Sequence, residues 1–266
     1  MNREFIARHW YASVYEQFEN QTDDVDFLLN VLREQCGGAP QNLLEVACGG
    51  GRISIPLAQA GHTVTGFDAD EQMLLRCYRR MQGLPKIRCY AADAVTDDWG
   101  SGYDVVVMAG NLLINIETTM DYAAAQALFL RKAAAALRPG GHLYLDFDLH
   151  FDPKSVFSGL RESSYFCGTD ELGTTGRTVS YGGAYDPVTQ ICSGPNHWEL
   201  TTNNGEQIIL SSPCRYKHIP TQAQVYGWLA SAGLTIERSY LNFTQDPIPE
   251  PIPEHMYRAT LWARKD

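Results

Sequence analysis

The stretch LLEVACGGGR, Leu43 to Arg52, decides how this chain is read. An apolar run of strand length, Leu43 to Ala47, meets three consecutive glycines, and Ile53 to Ala60 then continues with the length and spacing of a helix. One glycine suffices for the dihedrals of a tight turn; three in a row suit a place where something approaches the main chain too closely for side chains. A strand, a glycine-rich turn and a helix in that order leave backbone N–H groups open to a ligand.

The pattern continues on both sides. Upstream, Asp23 and Asp24 are expected to cap a helix carrying Val25, Leu28, Leu29 and Leu32 on one face and stopped by Gly37 and Gly38. Downstream, Thr63 to Phe67 reads as a second strand, and Asp70 caps a helix with Met73, Leu74, Cys77 and Met81 along one side. Strands follow at Ile87 to Ala91 and at Tyr103 to Met108, where YDVVVM is too continuously apolar for a half-exposed strand. An alanine-rich helix, Ala123 to Leu137, breaks at Pro139-Gly140-Gly141 before a fifth strand, His142 to Phe147. Buried strands alternating with helices predict a doubly wound, Rossmann-like α/β core. From His150 to about Lys217 the composition turns to Gly, Ser, Thr, Tyr and Pro with alternating segments, which reads as an inserted antiparallel β cap. Helical spacing returns with a capping box at Thr221 and Gln224, and two last strands, Leu234 to Leu241 and Met256 to Arg264, flank the proline-rich DPIPEPIP. The expected division is 1–149 for N-terminal lid helices and core, 150–217 for the cap, and 218–266 for the rest of the core sheet.

Among the 266 residues, 21 Lys and Arg face 31 Asp and Glu, a net charge of -10 that repels polyanions and argues against nucleic acid as a partner. The opening MNREFIARHW has no secretory pattern, and no apolar run approaches the roughly 18 residues needed to span a bilayer. The seven cysteines are dispersed without a C-x-x-C pair; they read as reduced, mostly buried thiols of a cytoplasmic protein, with no metal required. The expected partner is a small molecule, and the expected state is a monomer or homodimer.

Asp68 stands at the end of the second strand, 17 residues past Gly51, where a carboxylate can accept from both hydroxyls of a ribose. Asp93, in YAADAV at the end of the third strand, could accept from an adenine amino group. Either aspartate alone could equally be a helix cap; together with the glycines they suit a nucleoside. As an ordered set, LLEVACGGGR, GFDAD, AADA, YDVVVMAGNLL and LRPGGHLYLDF resemble the class I S-adenosylmethionine-dependent methyltransferases over Leu43 to Phe147. The one departure is Ala47, where that family has its first loop glycine. A dinucleotide-binding reading fits less well, because Glu45 at the strand end suits an ammonium better than a pyrophosphate.

The resemblance implies a seven-stranded sheet of order 3-2-1-4-5-7-6 with the last strand antiparallel, and S-adenosyl-L-methionine as cofactor. Glu45 would face the methionine ammonium; Ala47, Cys48, Gly49, Gly51 and Arg52 would line the amino-acid part. Asp68 and Ala69 would hold the ribose, Met73 would pack near the adenine, and Asp93 with Ala94 would meet its edge. Met108 and Ala109 would close the cofactor site from the fourth strand, and Tyr11 and Tyr15, four apart on a helical face, could close over it or simply pack as core aromatics.

The loop MAGNLLIN lacks an N-P-P-Y motif, which with the acidic charge favours a small-molecule acceptor over DNA. Candidates for its site are Asn111, Asp148, Tyr185, His197, Trp198 and Arg215. His150, or Tyr15, is the candidate catalytic group; a histidine at that rim could take a proton from an amine or hydroxyl, or be a solvated loop residue. The cap layout is similar to that of small-molecule N-methyltransferases acting on amino sugars or amino acids. Methyl transfer to an amine or hydroxyl of a small acceptor is the expected function, and a non-catalytic cofactor-binding sensor or partner subunit is the alternative.

Overall fold

The computed structural model describes residues 2–159, 162–181, 183–212, 216–253 and 258–266, which form two compact units, 22–151 with 220–266 and 1–21 with 152–219. The first unit holds α2 (Asp23–Gln35), β1 (Asn42–Val46), α3 (Ser54–Gln59), β2 (Thr63–Asp68), α4 (Glu71–Arg80), β3 (Ile87–Ala91), β4 (Tyr103–Met108), α5 (Tyr122–Ala136), β5 (Leu137–Asp148), α7 (Gln222–Ser231), β13 (Leu234–Leu241) and β14 (Arg258–Lys265). Its seven strands run in the order β13-β14-β5-β4-β1-β2-β3; β14 is antiparallel to both neighbours, whereas β1 to β5 pair in parallel. This is the expected topology.

The apolar strands sit between two layers, as their unbroken hydrophobicity requires. Phe129 and Leu130 of α5 with Val225 and Leu229 of α7 cover one face. Phe27, Leu28 and Val31 of α2 with Leu57 of α3 cover the other, where Phe27 meets Tyr240 edge-on at 5.2 Å. Each such Leu or Phe contributes about 1.5–3 kcal/mol relative to an exposed one. Asp70 caps α4 by accepting from Gln72 N and Met73 N, and the Thr221–Gln224 capping box opens α7.

Three local expectations need correction. Thr22, one residue earlier than expected, holds the N-cap position of α2 without a side-chain cap bond, while Asp24 lies within the first turn, accepts from Val25 N and pairs with Arg52. The fifth strand begins at Leu137, with Tyr103 paired to Leu137 and Val105 to His142, so that residues 138–141 bulge out while Arg138 is anchored on Asp104. The N-terminal helix belongs with the insertion and not with the core, since its apolar residues are buried against insertion strands.

That second unit contains α1 (Arg3–Phe18), α6 (Pro153–Phe157), a four-stranded sheet in the order β11 (Gln207–Ser211), β10 (Asn196–Thr201), β7 (Thr175–Ser180), β6 (Ser163–Thr169), and a three-stranded sheet in the order β12 (Tyr216–His218), β9 (Ile191–Ser193), β8 (Ala184–Asp186). Ile6, Trp10 and Val14 of α1 pack on Trp198, Leu200 and Ile208, and the Trp10 indole donates to Gly168 O at 3.0 Å.

Because β1, β2, β3, β4 and β5 are parallel, the segments after them lie along one edge of the sheet. The strand order reverses between β1 and β4, the place where open α/β sheets form a ligand crevice.

Candidate active site

The loop after β1 turns through a run of left-handed residues: Ala47 at φ 57°, Gly49 at 51° and Gly51 at 78°. The three positions are not equivalent. A Cβ on Gly51 would lie 2.9 Å from Cys77 Sγ and 3.0 Å from Ile55 Cδ1, so this glycine lets the loop close on the protein beneath it. A Cβ on Gly49 would meet nothing within 4 Å; the main chain there faces open space. Ala47 holds a conformation that costs an L-residue about 1–2 kcal/mol, a strain that a glycine at this position would not carry.

Asp68 fixes this loop. One carboxylate oxygen accepts from Gly49 N at 2.8 Å and the other from Asp70 N at 2.7 Å, which leaves each oxygen a second lone pair. Burial raises its pKa above the ordinary carboxylate value while these two N–H groups oppose the shift. Glu45 is only 4% exposed, accepts a short hydrogen bond from the Ser54 hydroxyl, and has its pKa pushed up to about 8 by burial. At neutral pH it is mostly a neutral acid, and a cation placed beside it would draw the proton off. Arg52 directs its guanidinium at Asp24 in a two-pronged ion pair, 2.6 Å on each arm.

At the next strand ends, Ala69 is exposed and Met73 is buried at the start of α4. Asp93 accepts from Val95 N at 2.7 Å and Thr96 N at 3.2 Å, so one oxygen closes a turn, and no helix follows for it to cap. Lys132 of α5 pins this loop by donating to the carbonyls of Ala94, Val95 and Asp97.

Beyond β4 the chain turns through Gly110 and left-handed Asn111. Met108 is fully buried and Ala109 half-buried. Asp146 accepts from Gly110 N and Asn111 N and pairs with Arg258 at 3.0 Å. Asn111 Nδ2 donates to Asp148 at 2.7 Å, its carbonyl oxygen accepts from Asp148 N, and Arg258 reaches Asp148 at 2.7 Å. His150 is half-buried two residues past β5.

The structure thus gathers Glu45 of β1 and Asp68 of β2 around the loop Ala47 to Arg52, and Asp148 of β5 against Asn111 after β4. Tyr11, Tyr15, Tyr185, His197 and Trp198 belong to the other unit. There the Tyr11 ring stacks on Trp198 at 5.3 Å and both tyrosines contact Phe166, while His197 meets Glu199 at 3.1 Å. Tyr185 is half-buried in β8, and Arg215 lies outside the described residues. Ser54, Lys132 and Arg258 were missed from sequence. Ser54 had a signal, a hydroxyl in an apolar helix right after the glycines; Arg258 and Lys132 had none.

Comparison with known proteins agrees with this geometry. A family model described as a methyltransferase domain matches residues 43–141. The glycine N-methyltransferase of Rattus norvegicus is 27% identical over 53% of this chain and 50% of its own, so the match spans about half that relative's length. The ubiquinone biosynthesis O-methyltransferase of Pseudomonas paraeruginosa is 27% identical over 61% of this chain and 67% of its own. Among solved structures, an S-adenosylmethionine-dependent methyltransferase from Clostridium acetobutylicum superposes with a TM-score of 0.72, 13% identity and 99% of each chain covered. The sugar N-methyltransferase KedS8 from Streptoalloteichus gives 0.67 at 18% identity, covering 100% of this chain and 94% of its own. Loop, sheet order and relatives agree: residues 43–141 match a methyltransferase domain, and the whole chain has the fold of S-adenosylmethionine-dependent methyltransferases.

Proposed function

We propose that the chain transfers a methyl group from S-adenosyl-L-methionine to an amine or hydroxyl of a small molecule, with nitrogen favoured. The observation that carries this is the main chain at Gly49, open to solvent and locked by Asp68 beside the buried acid Glu45. A methionine ammonium supplies the positive charge that Glu45 lacks, and the ribose hydroxyls donate to the remaining lone pairs of Asp68. Met73 and Ala94 flank the base, and Met108 and Ala109 bound the pocket at β4.

The cofactor's sulfonium supplies an activated methyl; the protein's task is to align a nucleophile and keep water out. Asn111, fixed in a left-handed turn by Asp146 and Asp148, offers a rigid polar rim on the acceptor side. To His150, two residues past β5, we assign the role of receiving the proton that an amine or hydroxyl releases on methylation. The lean toward nitrogen rests on a cap layout similar to that of sugar N-methyltransferases and on likeness to a glycine N-methyltransferase, while likeness to ubiquinone biosynthesis O-methyltransferases keeps a hydroxyl acceptor in the reading.

Calorimetry with S-adenosyl-L-methionine, followed by mass spectrometry of an amine- and phenol-rich metabolite extract incubated with protein and cofactor, tests this reading. Binding with a product 14 Da heavier supports it. Binding without any product overturns transfer in favour of a sensor, and absence of binding overturns the reading altogether.

A further inference from the structure

Cys48, Cys77 and Cys89 lie far apart in the sequence and share no metal-binding spacing, yet they meet in the interior of the core unit. Their sulfurs all fall within 4.8 Å of one another, with Cys77 Sγ 3.1 Å from Cys89 Sγ. Each comes from a different element: the glycine loop, α4 and β3. Two glycines make room for them. A Cβ on Gly51 would lie 2.9 Å from Cys77 Sγ, and one on Gly66 would lie 2.9 Å from Cys48 Sγ. Buried thiols used only as small apolar fillers have no need to turn their polar ends to a common point. We propose that this triad binds one thiophilic d10 cation, of which Zn2+ is the type, through three thiolates beneath the glycine loop.

The size of the cluster suits such an ion. Zinc–sulfur bonds of about 2.3 Å in a trigonal arrangement need sulfur–sulfur edges near 4 Å. One pair therefore opens and the widest closes, each by less than about 1 Å. Soft donors alone also select against Mg2+ and Ca2+. Three thiols give up three protons as one divalent ion enters, leaving a single negative charge. Arg80, one turn beyond Cys77 on α4, anchors its guanidinium at 3.0 Å on Gly50 O and so brings a positive charge to the loop that carries Cys48. The ion would tie the loop after β1 to α4 and β3, and its binding does not depend on methyl transfer.

The test uses the full chain, reduced and stripped with a chelator. Cd2+ is titrated in while the thiolate-to-metal absorption is followed, and Zn2+ is titrated against a chromophoric chelator. The expected result is one ion per chain, an absorption intensity for three thiolates, and affinity at least a hundredfold lower in Cys77→Ser and Cys89→Ser but unchanged in Cys36→Ser. No uptake at stoichiometric metal, an undiminished signal in Cys77→Ser, or a loss of two hydrogens by mass with no metal bound overturns the proposal. Should either variant fail to fold, 113Cd resonance on the wild-type chain decides. A shift typical of sulfur ligands supports the site, and an oxygen-ligand shift or no bound signal overturns it.

Discussion

At the ends of β1 and β2, Asp68 takes its hydrogen bonds from the backbone of Gly49 and Asp70, and the main chain at Gly49 faces open space. At the ends of β4 and β5, Asp146 also accepts from backbone, at Gly110 and Asn111, but there the Arg258 side chain pairs with both Asp146 and Asp148, and the Asn111 amide bonds Asp148. One half of the sheet edge is therefore a main-chain cradle with capacity left over, and the other is a closed side-chain network that stiffens a loop. A ligand common to many proteins can be held by main chain, while what differs between them is left to side chains.

Four substitutions separate these halves, beginning with the largest effect. Arg258→Ala strips Asp146, which is fully buried, of its counter-charge, and should cost about 3–5 kcal/mol in urea unfolding. A loss below about 1 kcal/mol would show that the backbone donors at Gly110 and Asn111 suffice and that the network is not closed by charge.

Glu45→Gln keeps the bond from Ser54 but removes the acid. Between the ordinary carboxylate range and about pH 8 the unfolded chain ionises at this position and the folded one does not, so stability falls as pH rises through that window. Asp68 and Asp146, raised in the same direction, add slope of the same sign. Denaturant unfolding across pH should give a shallower slope for Glu45→Gln. S-adenosyl-L-methionine affinity in the wild type should rise as pH approaches 8, with proton release on binding; Glu45→Gln should abolish both and weaken binding by about 2 kcal/mol, a loss read by calorimetry.

Asp68→Ala leaves Gly49 N without its acceptor, and calorimetry should show cofactor binding weakened by about 1–3 kcal/mol. Unchanged affinity would mean that the cradle is not held from β2. The smallest effect belongs to Ala47→Gly. Relief of the left-handed strain exceeds the added freedom of the unfolded chain, so thermal unfolding should show stabilisation of up to about 1 kcal/mol.

The same division explains what could be read in the sequence. A parallel sheet covered on both faces was legible in strands too apolar to be half-exposed, and the ligand loop in Gly49 and Gly51, whereas the strand order was implied only by resemblance to a family. The caps at Asp70 and Thr221 were legible because capping is local. Arg258 was hidden because the strand that carries it is brought beside Asp146 only by β14 running antiparallel to β5. Cys48, Cys77 and Cys89 looked scattered because only the packing of α4 and β3 beside the loop after β1 brings them together. Asp24 looked like a cap and became the partner of Arg52, an ion pair 28 residues long in sequence that no local rule reveals.

A crystal of the chain soaked with S-adenosylhomocysteine tests the central claim most directly. Its amino-acid part is expected along Ala47 to Gly51 with the ammonium toward Glu45, and both ribose hydroxyls on Asp68. A nucleoside bound elsewhere, or a pyrophosphate preferred at Gly49, would contradict it.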